Sequence, residues 1–129
     1  MRRHLLLAAL PLLLAGCQAT PPGPAARTVV FFNADSAALD ENAQEIVAQA
    51  ATIAKDRPGA GVRVRGFAAP DSGTPAFNKS LAAARAQHVA DHLMASGVAR
   101  GRIRIESRAA VPFESFPTEA RRVEIVIGE

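Results

Sequence analysis

Few groups in this chain can do chemistry. Its one thiol, Cys17, follows an apolar run and two small residues, Ala15 and Gly16. A thiolate is a nucleophile, and Leu14-Ala15-Gly16-Cys17 has the form of a lipobox, in which the sulfur takes up a diacylglycerol before the chain is cut ahead of the cysteine. His88 and His92 stand four residues apart, a spacing that turns two imidazoles to one helix face as metal ligands. The residues between them, Val89-Ala90-Asp91, place no Glu directly after the first His, and no third ligand is identifiable nearby. The pair therefore reads as a solvated helix face, and no metal is expected. The serines lie in no nucleophile elbow and have no convincing His–Asp partner. The chain reads as a non-enzyme without cofactors.

Those groups need elements to hold them. Met1-Arg2-Arg3-His4 and the apolar stretch Leu5–Ala15 have the plan of a secretory signal. The run is shorter than the roughly 20 residues that span a bilayer. Pro11 also interrupts it. Residues 1–16 are thus expected to be removed, leaving Cys17 as the first residue, with palmitate among its acyl chains. Each buried methylene adds ~0.8 kcal/mol, so two or three acyl chains fix a protein to a membrane. An exported chain with one cysteine has no internal disulfide. Gln18, where an aspartate acts as an inner-membrane retention signal in enteric bacteria, favours the outer membrane. Removing Arg2 and Arg3 from 15 basic side chains leaves 13 against 12 acidic ones. The mature chain is nearly neutral, and with no Trp or Tyr its stacking platforms for nucleic acid are scarce, so nucleic acid is not expected as a partner.

Gln18–Arg27 is rich in Pro, Gly and Ala without hydrophobic period, so residues 17–27 read as the lipidated cysteine with a tether reaching roughly 30 Å. Residues 28–129 read as one domain. Thr28–Phe32 is a β-branched and aromatic run ended by Asn33 and Asp35, a strand leaving into a turn. Apolar residues at 39, 43, 46, 50, 53 and 54 mark one helix face. Val62 and Val64 alternate with Arg63 and Arg65 in a second strand, and Asn78–Ser96 reads as a second helix with Ala82, Ala86, Val89 and Leu93 inward. Ile103 and Ile105 alternate with Arg102 and Arg104, and Val123, Ile125 and Ile127 follow as a last strand. The order β-α-β-α-β-β predicts an α+β fold: a mixed four-stranded sheet with two helices on one face and the other face open. The arginines alternating on two strands read either as a basic patch for an anionic polymer or as residues that keep the open face wet.

Gly66-Phe67-Ala68-Ala69-Pro70-Asp71-Ser72-Gly73, followed by Phe77-Asn78, Leu81-Ala82 and Arg85-Ala86 with Val89 three residues on, resembles the signature of OmpA-like domains, including peptidoglycan-associated lipoproteins. Phe31–Leu39, His92-Leu93 through Arg102-Ile103, and Arg121–Ile125 resemble that family's opening strand, helix exit and last strand. The resemblance covers residues 28–129. It implies a ligand, the meso-diaminopimelate of the peptidoglycan stem peptide, which carries an ammonium and a carboxylate on one stereocentre. It also implies an Asp to receive the ammonium and an Arg whose guanidinium fork pairs with the carboxylate.

Arg85, seven residues after Asn78, matches that arginine, at a place read as near the start of its helix, where the dipole adds to the attraction; its alternative role is to snorkel over Leu81 and Val89. Pro70 occupies the family's Asp position in a loop longer by one residue, which leaves Asp71, one residue on, as the candidate acid or as a turn former. Asn78 is implied as a loop-binding residue and also reads as the helix N-cap. Arg121 and Arg122 are implied to supply one ligand contact between them, with Arg122 taken as the site residue, against the alternative of a solvated pair at the strand end. The resemblance therefore implies an outer-membrane lipoprotein on the periplasmic face that binds peptidoglycan, with other envelope proteins as further partners. The alternative is an envelope interaction or assembly lipoprotein that kept the fold and lost wall binding.

Overall fold

The computed structural model describes residues 23–70, 73–110 and 117–128. The signal segment 1–16, Cys17 with most of the tether, and Asp71 with Ser72 lie outside the described residues. The chain forms β1 (Ala26–Phe31), α1 (Glu41–Asp56), β2 (Val62–Ala68), α2 (Pro75–Ala95), one 3-10 turn at Arg100–Arg102, β3 (Ile103–Ala110), a four-residue helix α3 (Pro117–Ala120) and β4 (Arg122–Ile127). Among the described residues, no helix is long and apolar enough to cross a membrane.

The four strands form one sheet in the order β1-β4-β2-β3. β4 runs antiparallel to both β1 and β2, and β2 runs parallel to β3. This is the mixed α+β sheet that the alternating strands predicted. Strand alternation sends Val30, Val62, Val64, Val123, Ile125 and Ile127 into the core, where all are buried. Opposite them the helices present mostly alanine: Ala43, Ala50, Ala51 and Ala54 from α1, and Ala86 from α2 beside Val89 and Leu93. Small residues on the helices and branched ones on the strands let the two layers close tightly. Gly66 marks the closest approach, because a Cβ there would collide with the Ala82 carbonyl oxygen. Among the described residues, the core is built from positions within 26–127.

Several expectations are corrected here. α2 starts at Pro75, and its N-cap is Thr74, whose hydroxyl accepts the Phe77 N–H. Asn78 therefore lies inside the helix and does not cap. The reason is local: Thr-Pro supplies a cap and a proline at the first helical position, a stronger start signal than Asn78 further along. Arg102 does not alternate outward on a strand. It sits in the 3-10 turn, and its guanidinium donates to the carbonyls of Ala54, Arg57 and Ala60, capping the end of α1.

The chain direction gives the domain two distinct ends. Ala26, Ile127, Val62 and Ile103 share the rung at one end, where β1 begins and both main helices finish. At the other end lie the turn after β1, the end of β2 and the start of α2.

Candidate functional site

At that second end Arg85 organises the surroundings. It projects from the middle of α2, where the helix dipole contributes little; the expectation that it stands near the helix start is corrected by the earlier start at Pro75. Its side chain does not snorkel, because Arg85 is 0% exposed. The guanidinium donates through Nε to Ser36 O at 2.8 Å, through one terminal nitrogen to Phe67 O at 3.0 Å and through the other to Asn33 O at 3.0 Å. One planar fork thus ties the β1–α1 turn to the end of β2, a task that a point-charge lysine cannot share. The Phe67 carbonyl is available because the β2–β3 pairing slips between Gly66 and Ala68. The guanidinium carbon also lies 5.3 Å from the Phe32 ring centroid. That distance is within the range of a cation–π attraction.

Burial and then the charge of Arg121 push the Arg85 pKa down from the ordinary guanidinium range to about 10, while Asp35 partly offsets the fall. Arg85 is therefore a cation at neutral pH, with an acid and a second arginine beside it. Asp35 is exposed and has a φ of 51°. This left-handed conformation is uncommon, and aspartate tolerates it better than most residues. A turn at Asp35 brings the carbonyls of Asn33 and Ser36 round to Arg85. His88 Nδ1 lies 2.6 Å from Ala37 O in the same turn. A carbonyl only accepts, so this nitrogen carries the proton, and His88 is spent in part on holding the turn.

Two buried side-chain polar atoms among the described residues have no hydrogen-bond partner: Asn78 Oδ1, an acceptor, and Arg121 Nε, a donor. Such atoms cost roughly 1–3 kcal/mol each when left unmade. Asn78 is 1% exposed, and its amide nitrogen makes a long bond, 3.4 Å, to Pro70 O. Arg121 donates through a terminal nitrogen to Thr118 Oγ1, and its carbonyl accepts from Phe32 N.

The structure places Arg85 and Asn78 at this end on the helix side of the sheet, and Arg122 at the same end on the open face. Arg122 pairs with Glu124 at 3.1 Å and covers the Phe67 ring at 4.1 Å, on the open face of the sheet. The placement follows from alternation: Val123 points into the core, so Arg122 points away, and Arg121 is the arginine whose charge acts on Arg85. Arg63 and Arg65 share the open face with Arg122 and pair with Glu106. Sequence reading misses Asp35 and the backbone acceptors of Asn33 and Ser36, although all three fall in the run Phe31–Leu39 that carries part of the resemblance. Among the described residues no group of three His, Cys, Asp or Glu side chains could hold a metal ion.

The profile of the OmpA family matches residues 31–122. Outer membrane protein 40 of Porphyromonas gingivalis is 40% identical over 78 residues, which is 60% of this chain and 20% of that protein. The chain therefore spans about a fifth of the length of that relative. The crystal structure of the peptidoglycan-associated lipoprotein from Burkholderia pseudomallei aligns with a TM-score of 0.70 and 24% identity, over 78% of this chain and 89% of that one. The C-terminal domain of Helicobacter pylori MotB aligns with a TM-score of 0.67 and 26% identity, over 78% of this chain and 82% of that one.

Proposed function

This chain belongs to the OmpA family, and from that footing we propose that it binds peptidoglycan through the Arg85 end of its sheet and holds an outer membrane to the wall without catalysis. One observation carries this reading: a buried acceptor, Asn78 Oδ1, and a buried donor, Arg121 Nε–H, both lack partners at the end organised by Arg85. A ligand with an ammonium and a carboxylate on one carbon supplies the missing donor and the missing acceptor, and meso-diaminopimelate is such a ligand. Arg85 attracts the carboxylate by its charge while its hydrogen bonds shape the turn. Asp35 and Asp71 are the acids proposed to receive the ammonium.

The anchor half of the proposal rests on Cys17 as the acylated residue and on the tether that follows it. The described chain enters the fold at Ala26, at the end opposite Arg85. Membrane attachment and wall binding therefore use opposite ends, as a bridge requires. A second reading has its own support: Pro70, where the family carries Asp, offers only its carbonyl, which Asn78 already engages. On that reading the protein is an envelope interaction module that ignores the wall.

Cosedimentation of residues 18–129 with purified sacculi separates the two. Binding that free meso-diaminopimelate displaces, and that Arg121→Gln weakens, is the outcome expected here. A chain that stays in the supernatant at every wall concentration would establish the second reading.

A further inference from the structure

The end of the domain where the chain enters has a charge character of its own. Segments 55–61 and 96–104 form its turns, and they carry five basic side chains, Lys55, Arg57, Arg100, Arg102 and Arg104, against one acid, Asp56. At the opposite end, segment 33–41 carries three acids, Asp35, Asp40 and Glu41, and no base. These turn segments at the two ends therefore carry charge of opposite sign. Lys55, Arg100 and Arg104 are exposed, and so is Arg27 near the start of β1. Between the start of β2 and the start of β3 lies a cavity of about 330 Å³ lined in part by Gly61, Gly101, Arg63, Arg102 and Arg104. Its charged lining is cationic: Arg63 pairs with Glu106 and Arg102 caps α1, while Arg104 is exposed.

We propose that this basic end docks on the anionic phospholipid surface of the membrane that carries the tether, with the cavity receiving a headgroup phosphate. The proposal rests on the reading of Cys17 as a lipid anchor, since the anchor makes that membrane the nearest surface. Residues 18–25, between the cysteine and β1, hold no charged side chain. Attraction to the surface therefore comes from the folded end itself. Each Lys or Arg held near an anionic surface adds to affinity, and the effect fades within a screening length. Docked in this way, the domain points the Arg85 end away from the membrane, toward the wall. The tether sets the distance and the basic end sets the direction.

The test uses residues 18–129, which hold every described core residue and carry no lipid, in cosedimentation with vesicles, with a circular dichroism melt of the same sample to establish that it is folded. Phosphatidylcholine vesicles enriched in phosphatidylglycerol should retain the domain, and pure phosphatidylcholine vesicles should not. At about 1 M salt, where the screening length is ~3 Å, retention should vanish. Arg100→Gln with Arg104→Gln should lower the partition coefficient roughly ten- to thirtyfold. Lys79→Gln, an exposed cation near the start of α2, should leave it within about twofold. Equal binding to neutral vesicles, no binding to anionic ones, or equal losses in the two variants each overturn the proposal. The same double variant should still sediment with sacculi, so wall binding and lipid docking fail independently. Incorporation of labelled palmitate at Cys17 in the full chain tests the anchor by itself.

Discussion

Replacing Arg85 with methionine should damage the fold as well as the binding. The substitution keeps much of the side-chain volume and removes three hydrogen bonds donated by a charged group. The Phe67 carbonyl, whose bond to Arg85 is buried, is then left unmade at a cost of roughly 1–3 kcal/mol. Asn33 is exposed and Ser36 half-buried, so their carbonyls can regain water. Each of those two bonds is worth only about 1 kcal/mol. Burial works in the other direction. The lowered pKa of Arg85, about 10, shows that its charge is disfavoured where it sits. An apolar replacement recovers part of that cost. The net expectation is a loss of roughly 2–4 kcal/mol. With a urea slope of about 1–2 kcal/mol/M for a domain of this size, the unfolding midpoint should fall by roughly 2 M. Urea titration followed by circular dichroism measures it. Arg85→Lys should fall between the two, because one ammonium keeps the charge but cannot reach three diverging carbonyls. An unchanged midpoint in Arg85→Met would refute the role of Arg85 as the strut of the β1–α1 turn.

Gly66→Ala should cost more than ~3 kcal/mol, since the added methyl meets backbone rather than a side chain that can turn away; loss of soluble domain, or a collapse of its melting temperature, is the readout. Asn78→Leu removes an unpartnered buried acceptor. It should leave thermal stability within about 1 kcal/mol or raise it, yet weaken sacculus binding at least about tenfold. The pH dependence follows from Arg85. A cation whose pKa is lowered to about 10 keeps its charge below that value and loses it as pH rises through it. Arg85's attraction for a carboxylate should therefore be constant between about pH 6 and 8.5 and decline toward pH 10. Sacculus binding that falls steeply between about pH 6 and 8 would point to a different controlling group.

The fold is legible in the sequence because its signal is periodic. Arg63 and Arg65 beside Val62 and Val64, and Glu124 between Val123 and Ile125, name the inner face of each strand without reference to anything else. The alanines of α1 and α2 do the same at helical spacing. The site is legible only in part. Arg85 emerges from its spacing to Asn78, but its complete burial does not, because arginine is rarely buried and the acceptors that make it tolerable are backbone carbonyls, which leave no mark in a sequence. The separation of Arg122 from Arg121 is hidden for a different reason: at the first residue of a strand the phase of the alternation must be counted from the core residues, and Val123 assigns the open face to Arg122. The start of α2 is hidden because Thr74-Pro75 lies within a stretch rich in Ala, Pro and Gly that reads as continuous loop.

In the proposed complex a zwitterionic amino-acid group completes the hydrogen bonds of Asn78 and Arg121. Titration of free meso-diaminopimelate into the ¹⁵N-labelled domain tests it most directly, with the side-chain resonances of Asn78 Nδ2 and Arg121 Nε as reporters. Saturable shifts of both, with the Asn33–Ser36 amides moving alongside and the amides of 55–61 unmoved, are the predicted result. A ligand that leaves both side chains unshifted at saturation would remove Asn78 and Arg121 from the binding site.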